Sequence, residues 1–65
     1  MNNVREINRV DWIRLNMKRG DKKYIARLLD VHPEWVSRVI RGQGVSERVL
    51  RTAEALIAER EKQTN

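Results

Sequence analysis

Four hydrogen-bonding side chains recur at helical spacing between residues 34 and 41. They are Glu34, Ser37, Arg38 and Arg41. Steps of three and four residues place side chains on one face of a helix, and the aliphatic Val36, Val39 and Ile40 fall on the opposite face. A helix with this pattern can pack its aliphatic face inward while it presents donors, acceptors and positive charge to a partner.

Basic side chains are concentrated in the first two thirds of the chain. Residues 1–44 carry ten Lys and Arg against five Asp and Glu, whereas in residues 45–65 four cations balance four anions. The whole formal net charge of +5 therefore belongs to the first segment. Such a surplus is expected on a surface that faces phosphate groups, and it is also found on faces that are only solvated.

The residue types do not favour catalysis. The chain has one histidine, His32, two serines, Ser37 and Ser46, and no cysteine, so neither a nucleophile–base triad nor a metal site can be assembled. Gly-Gln-Gly at 42–44 lacks the Lys-Ser/Thr that completes a phosphate-binding loop. We expect a protein that is not an enzyme and that has no metal, cofactor or small-molecule substrate.

Apolar runs in the chain are far shorter than the roughly 20 residues that span a bilayer. We therefore expect no membrane partner and a cytoplasmic location.

Capping residues predict where the first helix lies. Asp11 is a suitable N-cap for a helix over about 12–19, and Gly20 would end it. Val10 and Leu15 have the spacing of a hydrophobic staple around that cap.

Two further short helices follow, joined by three residues. Asp21 can cap a helix over about 22–29, and Pro33 suits the first position of a helix over about 33–41. Gly42 would end this helix.

The longest helix is expected at the end of the chain. Ser46 can cap it, and apolar residues at helical spacing continue to about residue 61. Residues 1–10 form either an arm or a short fifth helix, 11–61 form the domain, and 62–65 are a polar tail.

Small and aliphatic residues have a defined pattern within 22–41. An Ile-Ala pair and an aliphatic residue belong to the first helix of this segment, another aliphatic residue lies in the turn, and Val-Ser-Arg-Val belongs to the second helix. These are Ile25, Ala26, Leu29, Val31, Val36, Ser37, Arg38 and Val39. The segment KKYIARLLDVHPEWVSRVIR thereby resembles the helix-turn-helix of the lambda-repressor-like family, which includes the phage Cro and repressor proteins. Asp30 departs from that family, which often has glycine there because the turn requires a positive φ.

The resemblance implies an all-α, compact four-helix or five-helix domain that binds double-stranded DNA. It implies a sequence-specific transcriptional regulator of the Cro-like repressor type, from a phage or a bacterium, with helix 33–41 in the major groove. Regulators of this kind commonly bind as homodimers. Trp12, Val4 and Ile7 are spare apolar side chains that fit this expectation.

The resemblance also implies a role for individual side chains. Base contacts are expected from Arg38, Ser37, Glu34 and Arg41, with Arg38 as the best reader of guanine. Phosphate contacts are expected from Lys22, Lys23, Tyr24, His32, Gln43, Gly44 and Trp35. His32 also suits an N-cap of the second helix, Trp35 and Tyr24 also suit the rim of the core, and Arg5 and Arg9 would lie in an arm that reaches the adjacent groove.

Other functions fit the same fold. A protein-binding adaptor, such as an anti-repressor or an antitoxin, would keep the core and lose base-directed side chains. A DNA packaging or recombination accessory factor would keep the DNA contacts. The cations Arg38, Arg41, Lys22 and Lys23 favour DNA over a protein partner.

Overall fold

The structure is a computed structural model that describes residues 8–63, and every regular element in that range is a helix. The helices are α1 (Arg9–Asn16), α2 (Asp21–Leu29), α3 (Pro33–Ile40) and α4 (Glu47–Gln63). The predicted all-α fold is confirmed. A fifth helix in residues 1–10 falls mostly outside the described residues, and residues 9 and 10 belong to α1.

All four helices contribute to one core. Its buried residues are Ile13, Ile25, Ala26, Val36, Val39, Ile40, Val49, Ala53 and Ile57. α2 and α3 pack on each other, and α1 and α4 each contact α3. Trp12 packs against this core and is half-buried, which agrees with a core role for its ring, and Val4 and Ile7 lie outside the described residues.

The predicted position of α1 is wrong by about one turn. The helix begins at Arg9 because Asn8 acts as its N-cap, with its side-chain Oδ1 accepting from the backbone N–H of Val10 at 2.8 Å. Asp11 lies inside the first turn, where its carboxylate pairs with Arg14. No staple forms around an Asp11 cap, because Val10 is helical and Leu15 is 72% exposed.

The connection between α1 and α2 uses Gly20 differently from the prediction. α1 ends at Asn16, and Gly20, at φ 90°, immediately precedes α2 instead of ending α1. Asp21 is the first residue of α2, and its Oδ2 accepts from the backbone N–H of Lys18 at 2.7 Å. The aspartate thus fixes the connection upstream of the helix that it was expected to cap.

The turn between α2 and α3 has the backbone that the sequence predicts. Asp30 has φ 58°, and the N–H of Val31 donates to the carbonyl of Ala26 at 2.9 Å. His32 is the N-cap of α3, and its Nδ1 accepts from the N–H of Glu34 at 3.0 Å. The positive φ at Asp30 and the capping role of His32 are both confirmed.

The end of α3 is closed by a second left-handed residue. Gly42 has φ 83°, and the N–H of Gln43 donates to the carbonyl of Arg38 at 2.8 Å. Ser46 then caps α4 as predicted, with its Oγ accepting from the N–H of Val49 at 3.3 Å. α4 continues two residues beyond the predicted end, to Gln63. Within residues 8–63, no helix has both the length and the apolar character needed to cross a membrane.

Candidate nucleic-acid interface

A groove of about 780 Å³ lies between α3 and the connection from α1 to α2. Its walls come from the end of α1, the start of α2 and the exposed side of α3. The charged residues that line it are Arg14, Lys18, Arg19, Lys22, Lys23, Glu34 and Arg41. Six of these seven side chains are cationic, so the groove is a concentrated positive surface.

Positive charge is left unpaired on this side of the molecule. The ion pairs that involve α4 neutralise the carboxylates of Glu47, Glu54 and Asp21, none of which lines the groove. The cations without an ion-pair or hydrogen-bond partner for their side chains among residues 8–63 include Lys18, Arg19, Lys22, Lys23, Arg27 and Arg38. The net charge of the domain therefore acts mainly around α2 and α3.

Three of the four residues predicted for base contact, Glu34, Ser37 and Arg41, line the groove, whereas Arg38 lies on α3 outside the groove lining. Arg41 Nη1 donates to Ser37 Oγ at 3.2 Å, and its Nη2 lies 3.9 Å from Glu34 Oε2. Arg38 has no such partner within residues 8–63 and is exposed. Its guanidinium is therefore free to donate two parallel hydrogen bonds, whereas Arg41 must first leave its neighbours.

Backbone donors reinforce the cations at the start of α2. The N–H groups of Asp21 and Tyr24 donate to the carbonyls of Lys18 and Gly20. Those of Lys22 and Lys23 have no acceptor among residues 8–63. Unsatisfied N–H groups of a first helical turn attract anions, and here two ammonium side chains stand beside them.

The aromatic and loop residues predicted for phosphate contact have different surroundings. Tyr24 is 51% exposed on α2, and Gln43 is exposed. Trp35 is half-buried, and its ring lies against Gly44 so closely that a Cβ on Gly44 would be 2.8 Å from Trp35 Cζ3. Gly44 thus provides space for an indole ring of this chain. His32 uses Nδ1 as a cap.

Arg9 is not part of an arm, which corrects the prediction. It begins α1, and its guanidinium donates to Glu47 at 3.0 and 2.9 Å and to Glu54 at 2.7 and 2.9 Å. Hydrogen bonds from Arg9 and, second, from Arg51 lower the pKa of Glu47 from 4.5 to about 2, and the hydrogen bonds between Arg9 and Glu54 lower the pKa of Glu54 and raise that of Arg9. Arg9 therefore joins α1 to α4. Arg5 lies outside the described residues.

Two other arginines position the walls of the groove. Arg14 pairs with Asp11, and its Nη1 donates to the carbonyl of Ile40 at 3.3 Å, which ties α1 to the end of α3. Arg60 Nη1 lies 3.1 and 3.0 Å from the two carboxylate oxygens of Asp21, and its Nη2 donates to the carbonyl of Asn16 at 2.8 Å. Sequence reasoning missed both roles because the partners are far apart in the chain.

Lys18, Arg19 and Arg27 are further cations that the predicted site did not include. Lys18 and Arg19 line the groove, and Arg27 is exposed on α2, one turn after Lys23. The excess of basic residues in 1–44 was the available signal for them, but it does not distinguish a ligand-facing cation from a solvated one.

Cationic side chains predominate in the lining of the groove. Within the described part of the chain, no group of three or more His, Asp or Glu is arranged to hold a metal ion. Comparisons with protein-family models, with curated proteins and with solved structures found no match. The fold and the site thus define a small all-helical protein with a cationic groove beside an exposed helix face.

Proposed function

We propose that this protein binds double-stranded DNA in a sequence-specific manner, with α2 and α3 as a helix-turn-helix and α3 in the major groove. The observation that carries the proposal is the position of the exposed face of α3 next to the unpaired cations of the α1–α2 connection and the start of α2. One side of the domain thereby offers both base-directed and phosphate-directed groups.

The first turn of α2 contacts the DNA phosphates. Lys22 and Lys23, together with their backbone N–H groups, bind the DNA backbone and set the position of the domain on the duplex. Each neutralised phosphate releases counterions, so this part of the affinity falls as salt concentration rises and does not depend on base sequence.

Base contact is the task of α3. α3 has eight residues, and an α-helix, about 10–12 Å in diameter with its side chains, fits a major groove about 12 Å wide. Arg38 donates to O6 and N7 of a guanine, and Ser37, Glu34 and Arg41 act beside it. The left-handed Asp30 and the His32 cap support this arrangement, because they hold α3 at a fixed angle to α2.

The family resemblance of residues 22–41 supports a specific biological role for this DNA binding. A domain of this kind acts as a transcriptional regulator of the Cro-like repressor type, in the cytoplasm of a bacterium or of a phage-infected host. It represses by occupying an operator as a homodimer. Catalysis and a cofactor have no part in this mechanism.

The proposal is tested by charge-matched variants in a binding titration with a labelled duplex. Lys22→Gln and Lys23→Gln each weaken binding to all duplexes and reduce the slope of log K against log salt by about one. Arg51→Gln is the control, since it removes one positive charge from α4, outside the groove, where the side chain is 76% exposed. It leaves the salt slope unchanged.

Two results would contradict the proposal. If Arg51→Gln weakened binding as much as Lys22→Gln, the affinity would come from overall charge and not from the groove. If the protein retained no duplex at moderate salt, an adaptor function that binds protein would replace DNA binding.

A further inference from the structure

Asp21 is the one charged residue among residues 8–63 that is buried, with 8% of its surface exposed. It is also the first residue of α2, the helix whose first turn is proposed to contact DNA phosphates. A carboxylate in a first helical turn is favoured by the helix dipole, but its charge repels an approaching phosphate. The way in which this charge is neutralised and oriented therefore affects phosphate contact.

Arg60 of α4 neutralises this carboxylate without lining the groove. Its Nη1 lies 3.1 and 3.0 Å from the two carboxylate oxygens of Asp21, and its Nη2 donates to the carbonyl of Asn16 at 2.8 Å. Asn16 is the last residue of α1, and Asp21 is the first residue of α2. One guanidinium thus bridges residues 17–20, which connect the two helices.

The carboxylate of Asp21 is directed back toward this connection. Its Oδ2 accepts from the backbone N–H of Lys18 at 2.7 Å, and no side chain caps the N-terminus of α2. An aspartate side chain can otherwise accept from backbone N–H groups close to it in the chain. Because Arg60 and the N–H of Lys18 occupy the two oxygens, the N–H groups of Lys22 and Lys23 remain available to a phosphate.

The same contacts hold cationic side chains at the wall of the groove. Lys18 and Arg19 belong to the connection that Arg60 bridges, and both line the groove together with Lys22 and Lys23. Because both ends of the connection are fixed, less conformational freedom is lost when its cations engage DNA. Arg60 therefore affects the side-chain donors of this region as well as its backbone donors.

Resting on the proposed DNA-binding function, we propose that Arg60 is a positioning residue for phosphate contact. It keeps the charge of Asp21 neutralised and its carboxylate directed toward Lys18, which leaves the first turn of α2 open to a phosphate. Arg60 acts from α4 and does not itself touch DNA. A helix outside the helix-turn-helix thereby contributes to the affinity for every duplex.

The test is a double-mutant cycle in duplex binding, with Arg60→Gln, Asp21→Asn and the variant that carries both substitutions. Arg51→Gln is the matched control, because Arg51 also lies on α4 outside the groove and also pairs with a carboxylate, that of Glu47. Titrations use a preferred and a random duplex at several salt concentrations, and thermal melts establish the temperature range in which each variant is folded. The double variant leaves no buried charge unpaired, so it tests the inference even where Arg60→Gln alone unfolds.

We expect Arg60→Gln to weaken binding to both duplexes by about tenfold and to reduce the slope of log K against log salt by about one, because the unpaired carboxylate of Asp21 repels a phosphate. Base preference stays unchanged, since the substitution does not alter the exposed side chains of α3. In the Asp21→Asn background, Arg60→Gln weakens binding by no more than Arg51→Gln does, about twofold.

The inference is overturned if Arg60→Gln lowers the melting temperature but binds both duplexes as Arg51→Gln does, because Arg60 then only stabilises the fold. It is also overturned if Arg60→Gln loses the same factor of affinity in the Asp21→Asn background as in the wild type, because Arg60 then acts on DNA directly. In both cases the wild-type protein still binds DNA, so the proposed function stands. If the wild-type protein binds no duplex, the proposed function fails, and the inference fails with it.

Discussion

Arg38 and Lys22 carry the same charge, but their side chains recognise different things. A guanidinium has a planar fork that matches O6 and N7 of guanine, whereas an ammonium is a point charge suited to phosphate. Arg38 lies on the exposed face of α3 without a partner among residues 8–63, and Lys22 lies at the wall of the groove. The proposed mechanism therefore gives these two cations separate effects on affinity and on specificity.

Replacing Arg38 by alanine is expected to cost about 1 to 3 kcal/mol of binding free energy on the preferred duplex and to relax the preference at one base pair. Lys22→Ala is expected to weaken preferred and random duplexes by the same factor. Titration of both variants against both duplexes measures the difference. Equal losses on every sequence for Arg38→Ala would assign that residue to phosphate contact instead.

The contact between Trp35 on α3 and Gly44 in the following loop helps to hold α3 in place relative to α4. The ring of Trp35 on α3 lies under the loop that leads to α4, where only a glycine leaves enough room. This loop also contains Gly42 and Gln43, which close the end of α3. The packing of one indole ring therefore helps to fix the end of the helix that is proposed to read DNA.

Gly44→Ala is expected to lower the free energy of unfolding by about 1 to 3 kcal/mol, because the added Cβ overpacks a half-buried ring. Chemical denaturation followed by tryptophan fluorescence measures this change. Val45→Ala is the control, since Val45 is 91% exposed and its change is expected to stay within about 0.5 kcal/mol. Equal stability of the two variants would contradict the packing role of Gly44.

The contact between α1 and α4 depends on charge and therefore on pH. Hydrogen bonds from Arg9 and, second, from Arg51 lower the pKa of Glu47 from 4.5 to about 2, and the hydrogen bond from Arg9 lowers the pKa of Glu54. A carboxylate whose pKa is lower in the folded state than in the unfolded state stabilises the fold at pH values above the unfolded pKa. This stabilisation is lost as the pH falls through the folded pKa. The stability that the ionised Glu47 contributes is therefore complete above about pH 4.5 and disappears toward pH 2.

Arg9→Gln is accordingly expected to lower the melting temperature at pH 7, with a difference from wild type that shrinks between about pH 4.5 and 2. Thermal melts across that range provide the measurement, and Arg48→Gln, an exposed residue of α4 without a partner among residues 8–63, is the control. A difference that stays constant with pH would show that Arg9 acts only through packing.

Local signals in the sequence predicted much of the element structure. The cap at His32, the positive φ at Asp30 and the cap at Ser46 each depend on residues within a few positions, so they can be read from the chain. The start of α1 differs from the prediction because Asn8 and Asp11 are both good caps and only packing decides between them. The Arg9–Glu54 contact spans 45 residues, so no local pattern indicates it.

At the scale of the whole molecule, ion pairs decide where the net charge acts. Arg9, Glu47, Glu54 and Arg51 neutralise one another between α1 and α4, which leaves the groove side with the excess of cations. The composition predicted a basic surplus in residues 1–44 but not that it would converge on one groove. That convergence needs the fold, because the end of α1 and the start of α3 meet only in space.

Selection of bound duplexes from a random library at near-physiological salt, followed by sequencing, tests whether α3 reads base sequence. We expect an enriched sequence that contains guanine, repeated as an inverted pair with half-sites about 10 bp apart if the protein binds as a dimer. A single enriched half-site would still support base readout and would assign it to a monomer. Retention that is sensitive to salt but shows no sequence preference, or no retention at all, would contradict sequence-specific DNA binding.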